Sequence, residues 1–378
     1  MAASQNHYDV IVIGLGVMGS AAAYHLARDG RRVLAIEQFE LDHKLGSSYG
    51  ESRIIRYTYD HPVYTALAHH AFRLWRDLEA EAGRQVMFRT GGLDIGAADA
   101  RTLVKTHEVA TASGIAHEWL TAAEARRRFP QFALPDDMMV IYQPDAAYLN
   151  ASDCVLTLAE RARRHGATLL TNAPVQHIDV SYRAVSVRTA DALYHADRLI
   201  ITAGPWAQRV MKMLDLWLPL EVWRQQLVFI RPPNAEAYSP ERFPVFIYHD
   251  RPWFYGLPSV GGTGLKVAIH GLNDVVDPDQ CKRTTDAIEV ERVQSFVRRM
   301  LPGAGDVVAE TRVCLYTMTP DEHFIIDCHP AYPHVVFGAG FSGHGFKFGT
   351  LIGRILADLA QEGATSYPID LFGVRRFL

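Results

Sequence analysis

The chain has 378 residues, of which 48% are hydrophobic and 21% charged, with a formal net charge of −4. That length exceeds one ordinary core and suits two interleaved domains of a soluble globular protein, while the absence of a basic excess argues against nucleic acid as a partner. Segment 1–7 lacks the basic and apolar regions of a secretion leader, and no apolar run reaches the about 18 residues of a membrane span, so no membrane is expected and the expected location is cytoplasmic.

Residues 8–13 form a continuous apolar, β-branched run, the mark of a strand buried on both faces. The glycine turn Gly14-Leu-Gly16-Val-Met-Gly19 follows. A helix is predicted over 20–28, closed by Gly30, and then a parallel strand over 33–36 ending at Glu37. Strand, glycines, helix, strand and terminal acid together point to a bound dinucleotide, where the glycines alone would not. Gly14 makes the tight turn, Gly16 lets the backbone approach a pyrophosphate, and Gly19 lets the helix pack closely on the strand. The helix N-terminus favours the negative charge of that pyrophosphate. Glu37 is the expected acceptor for the adenosine ribose hydroxyls, and an acid there argues against the 2′-phosphate of NADP.

Further along, 86–96, 220–231, 253–258 and 265–270 read as short strands separated by Gly and Pro turns. They predict a second domain on a mixed or antiparallel sheet. The run 198–203 ending at Gly204, and 334–340 leading into Phe341-Ser-Gly-His-Gly345, read as returns to the first sheet. Phe348, Leu351, Ile352, Ile355, Leu356 and Leu359 then recur with helical period up to a Gly363 cap. The predicted partition is 1–86, 145–216 and 310–378 for nucleotide binding, with 87–144 and 217–309 for the substrate. The four cysteines (Cys154, Cys281, Cys314, Cys328) are scattered without CxxC spacing, so neither a disulfide framework nor a metal site is expected.

Four blocks carry a resemblance: Gly46-Ser-Ser-Tyr-Gly-Glu-Ser-Arg53-Ile-Ile-Arg56, Gly264-Leu-Lys266-Val-Ala-Ile-His270, 314–327 and 341–347. In this order they resemble the monomeric sarcosine oxidase family, which includes N-methyltryptophan and pipecolate oxidases, over essentially the whole chain. The resemblance implies an α/β fold: a glutathione-reductase-type, Rossmann FAD-binding domain interleaved with an α+β substrate domain built on a mixed or antiparallel sheet. It implies FAD attached as a cysteinyl thioether at Cys314, with Ser47, Val175, Ala203, Gly204, Gly343 and Gly345 among the cofactor's contacts.

The resemblance also distributes roles. Arg56 and Lys347 match the residues that grip a substrate carboxylate, a bidentate fork and a point charge. A lysine at a helix start faces an unfavourable dipole, which a bound anion would relieve. Arg53 matches an arginine lying against the flavin ring, and Lys266 a lysine that activates oxygen. Tyr255 and His270 match cavity residues that orient the amine, and Ile247 stands about where a flexible methionine is expected. Two departures concern the substrate: Tyr49 replaces a histidine, and the loop 246–254 differs in length and composition.

The implied reaction is oxidation by an FAD oxidase of the C–N bond of a secondary, N-methyl amino acid such as sarcosine, with O2 as acceptor, in a monomer. Larger N-methyl or cyclic amino acids (N-methyltryptophan, pipecolate, proline) are alternatives, as is a flavin dehydrogenase with another acceptor.

Overall fold

The computed structural model describes residues 6–182 and 184–378. Of the segment read above for a leader, positions 1–5 lie outside the described residues. Among the described residues, two sheets of eight strands and a small one of three organise the fold. Among the described residues no helix is long and apolar enough to cross a membrane.

The first sheet is centred on His7–Ile13, which pairs in parallel with Val33–Ile36 on one side and Leu193–Ile201 on the other. Val335–Ala339 adds a further parallel strand on Leu193–Ile201. The continuous apolar run is needed because both faces are covered. Val10 and Val12 point into a core shared with the helices Val17–Arg28, Ala151–Arg164 and Gly349–Glu362, while Ile11 and Ile13 point into another with the helix Ala207–Lys212.

The first helix begins at Val17, three residues before the predicted start, because Gly16 is its extended N-cap and accepts from the amide of Ser20. Gly19 therefore lies inside the first turn, and glycine propensity misplaces the boundary. At the other end Asp29 is the C-cap and Gly30, at φ +83°, is the residue beyond it. Gly30 donates to Ala27 and Arg31 to Leu26, the paired bonds of a Schellman stop.

The second sheet runs Val308–Met318, Glu221–Ile230, Leu265–Ile269, Phe254–Leu257, Val245–Tyr248, Gly92–Ala97, Met138–Gln143, Glu118–Thr121. It is mixed: Val245–Tyr248 and Gly92–Ala97 are parallel, and the other neighbours antiparallel. The strand Val308–Met318, which carries Cys314, spans the predicted boundary at 310 and pairs along its length with Glu221–Ile230 of this sheet.

Period-two alternation divides the second sheet's side chains. Leu93, Ile95, Phe246, Tyr248, Phe254, Val267 and Ile269 enter a core beneath the helix Ala287–Met300. The opposite face carries a registered row, Asp94, Ile247, Tyr255, Ala268, Leu227 and Arg312, each directly opposite the next. Lys266 and Cys314 share this face, two places along their strands from Ala268 and Arg312. It looks onto the glycine turn of the first sheet.

Candidate active site

A cavity of about 800 Å³ lies between the two sheets, toward the upper end of the ~300–1,000 Å³ of ordinary ligand pockets. Gly14, Gly16, Glu37, Ser47, Val175, Ala203 and Gly204 line one part. Arg53, Arg56, Ile247, Tyr255, Lys266, His270, Cys314, Gly343, Gly345 and Lys347 line the rest. Of the expected site residues Gly19 alone is set back from the lining. A Cβ there would stand 1.8 Å from the Gly14 carbonyl oxygen, so it permits the turn without facing the cavity.

The dinucleotide end is a cradle that larger side chains would fill. Gly14 has φ +94°, and a Cβ on it would meet the Thr202 carbonyl oxygen at 2.5 Å. Glu37 is buried and accepts from the amide nitrogens of Leu15 (2.8 Å) and Phe39 (3.1 Å). Burial raises its pKa against those two bonds. This backbone-lined turn with a carboxylate at the strand end fits the adenosine and pyrophosphate of FAD.

At the other end four basic side chains, Arg53, Arg56, Lys266 and Lys347, line the cavity with few anions. Arg53 is held by the carbonyl oxygens of Ser47 (2.9 Å), Tyr49 (2.8 Å) and Ser52 (2.9 Å), with its guanidinium 5.7 Å from the Phe346 ring centre. Lys266 is 3% exposed and donates to the Ser52 carbonyl at 3.0 Å. Burial, then the charge of Arg53, lowers its pKa to about 7. Lys347 donates to Tyr59 Oη (2.8 Å) and the His344 carbonyl (3.0 Å). Burial and Arg56 push its pKa well below the ordinary lysine value. His270 is lowered to about 4 by burial, Lys347 and Arg56. Such a compartment is short of negative charge, and an arriving anion is attracted to it.

Arg56 supplies the directional element. Its Nη1 donates to Asp94 Oδ1 at 2.9 Å, to Thr58 Oγ1 at 3.2 Å and to the Thr58 carbonyl. Its Nε is buried and has no partner. Nε and Nη2 share one edge of the planar guanidinium, so the edge that grips a carboxylate with two parallel bonds is left open.

Cys314 is buried on the cavity face of its strand. Burial raises its thiol pKa, and the charges of Arg53 and Lys266 act against that rise. Tyr255, beside it, is raised to about 12 by burial and by Cys314. The turn 342–345 has Ser342 at φ +44° and Gly343 at φ +75°, and a Cβ on Gly343 would lie 2.4 Å from the Tyr316 ring. Lys347 sits in a 3-10 turn, Phe346–Phe348, immediately before the last helix.

Sequence reasoning missed Asp94, His249 and Tyr59, all held in bonds with the residues above. One signal was present: Asp94 is a lone carboxylate in the run Gly92-Leu-Asp-Ile-Gly96, whose neighbours are apolar or glycine. Such a group is buried only with partners.

Residues 9–359 match the family model described as FAD dependent oxidoreductase. The chain is 36% identical over 375 residues to the monomeric sarcosine oxidase of Bacillus sp. (strain NS-129), covering 98% of this chain and 97% of that one. It is 32% identical over 377 residues to the N-methyl-L-tryptophan oxidase of Yersinia pestis (strain Pestoides F), covering 98% and 99%. Among solved structures, the open form of NikD, described as an unusual amino acid oxidase essential for nikkomycin biosynthesis, matches with a TM-score of 0.87 at 26% identity over 98% of both chains.

Proposed function

The chain belongs to the FAD dependent oxidoreductase family, and on that premise we propose that it oxidises the C–N bond of a secondary, N-methyl amino acid. Bound FAD supplies the acceptor for the two electrons removed from the substrate. The open Nε–Nη2 edge of Arg56, with Lys347 beside it in the same cavity as the glycine turn, is the observation that carries this reading.

Arg56 and Lys347 take the substrate carboxylate and set the molecule's position relative to the cofactor. The anion repays the cost of holding two cations out of water, so Lys347 gains its proton as the substrate binds. His270, neutral at physiological pH given its lowered pKa, and Tyr255 orient the amine. The resulting imine takes up water. For an N-methyl substrate one O2 and one H2O are consumed, and formaldehyde, the primary amino acid and H2O2 are released.

The finer reading makes Cys314 the site of a thioether to FAD, supported by its place on the cavity face, where the charges of Arg53 and Lys266 act on the thiol. Lys266 is the group that favours reduction of O2, supported by its burial in the cavity wall, where an anion would stabilise its protonated form. Arg53 and the turn 342–345 face the flavin, and Ser47, Val175, Ala203 and Gly204 line its path. We read the protein as a monomer, as the name of the Bacillus relative says of that enzyme, acting in the cytoplasm.

An anaerobic screen of sarcosine, larger N-methyl amino acids, pipecolate and proline tests the function. At least one is expected to bleach the flavin absorbance, and air should restore it with one H2O2 per turnover. Bleaching by no secondary amine would end the proposal. Bleaching that air does not reverse would assign a dehydrogenase.

A further inference from the structure

Ile247, His249, Trp253, Thr102 and Thr106 line the same cavity as Arg56. His249 lies one residue beyond the strand Val245–Tyr248 and two places after Ile247, both line the cavity, and its amide extends the ladder by donating to the Ile95 carbonyl at 2.7 Å. The residue is 8% exposed. Its Nε2 lies 2.7 Å from Asp94 Oδ1, the oxygen that also takes Nη1 of Arg56, and Thr58 Oγ1 donates to Oδ2 at 2.7 Å.

A ring that donates through Nε2 completes the bonds of Asp94, and in that tautomer Nδ1 is an acceptor. That Nδ1 is buried without a partner. A buried acceptor left unpaired is unfavourable, and here it belongs to a ring that shares Asp94 Oδ1 with the arginine that receives the substrate.

Building on the function proposed above, we propose that His249, oriented by Asp94, determines specificity by accepting through Nδ1 a hydrogen bond from an N–H or O–H donor on the substrate's side chain. The preferred substrate is thus a secondary amino acid with a donor-bearing side chain, ahead of sarcosine, which has none. Asp94 acts through its neighbours: it fixes the ring's tautomer and, through Nη1, the orientation of Arg56.

Isosteric pairs isolate the donor. N-methylserine differs from N-methyl-2-aminobutyrate only by hydroxyl for methyl, and N-methyltryptophan from its benzothienyl analogue by the indole N–H. In the holoenzyme at least one donor-bearing member is expected to exceed its isostere in kcat/KM by about tenfold or more, because a site built for a hydrogen bond rejects the analogue lacking it. His249→Leu should bring that ratio to about one.

Binding gives a readout independent of turnover and of folding of the variant. The 2-methoxy acids corresponding to N-methylserine and N-methyl-2-aminobutyrate have no amine to oxidise, and calorimetry on the wild-type holoenzyme should find the hydroxylated one tighter if the serine pair is the one discriminated. Equal kcat/KM within both pairs, or a ratio unchanged in a folded His249→Leu, overturns the inference. Sarcosine or either isostere would still bleach the flavin in that case, so the proposed function survives separately.

Discussion

Lys266 is buried without a direct ion pair, Glu51 acting on it only at a distance, so its protonated form is favoured by an anion that arrives. Its folded-state pKa of about 7 lies below the ordinary value of 10.5. Between those values the unfolded chain holds a proton that the folded chain has released, so this residue's contribution to stability rises with pH across that window. In FAD-free protein, urea unfolding at pH 7 and pH 9 should find that wild type gains stability relative to Lys266→Met, by at most about 2–3 kcal/mol. A difference that stays flat or reverses would mean that Lys266 keeps its proton. In the holoenzyme the same substitution should slow flavin reoxidation by O2 far more than anaerobic reduction by substrate. Equal slowing of both steps would remove Lys266 from the oxygen reaction. The lysine itself was legible from its sequence block. Its environment was not, because the Ser52 carbonyl that receives it lies 214 residues away.

Among the elements, the contact between the first and last helices fixes where the glycine turn stands. Gly349 and Gly353, one turn apart on the last helix, face Val17 and Ala21 of the first. A Cβ on Gly353 would lie 2.4 Å from Ala21 Cβ and 2.6 Å from its carbonyl carbon. Alanine in a helix interior ordinarily gains up to about 1 kcal/mol over glycine, but a methyl forced into packed backbone costs about 1–3 kcal/mol or more. We expect Gly353→Ala to lower stability by about 2 kcal/mol and to weaken FAD binding, because the displaced helix carries the cradle. Thermal unfolding with and without added FAD measures both, and an unchanged midpoint would refute the close contact. The apolar period located this helix in the sequence. The partner of its glycines could not be read there, since they interrupt no pattern and name no neighbour.

At the scale of the whole molecule, the cavity belongs to neither sheet. The first sheet leads into Gly14 and Glu37, and the second sheet supplies Lys266 and Cys314. A cofactor spanning both would hold them together, and a covalent bond would make that permanent. Acid precipitation of the wild type should therefore leave the yellow colour with the protein, while Cys314→Ser should release it. The variant's thermal midpoint should then rise with added FAD, as for any reversible ligand of the native state. Free FAD released from wild type would rule out the thioether.

By itself, the sequence determined whatever depends on local chemistry. The glycine turn between two strands, the acid after the second, the capped last helix and the separate character of the short-strand segments all follow from side-chain period and backbone freedom within about ten residues. The cations and the thiol were also identifiable, through the blocks that surround them. Only the tertiary structure decided which strands lie side by side. It pairs Gly92–Ala97 with Val245–Tyr248 in parallel and sets Val308–Met318 against Glu221–Ile230. Asp94 thereby meets His249, 155 residues away, as well as Arg56. Strand partners so distant in the chain are chosen by burial and register over the whole sheet, and no local pattern encodes that choice.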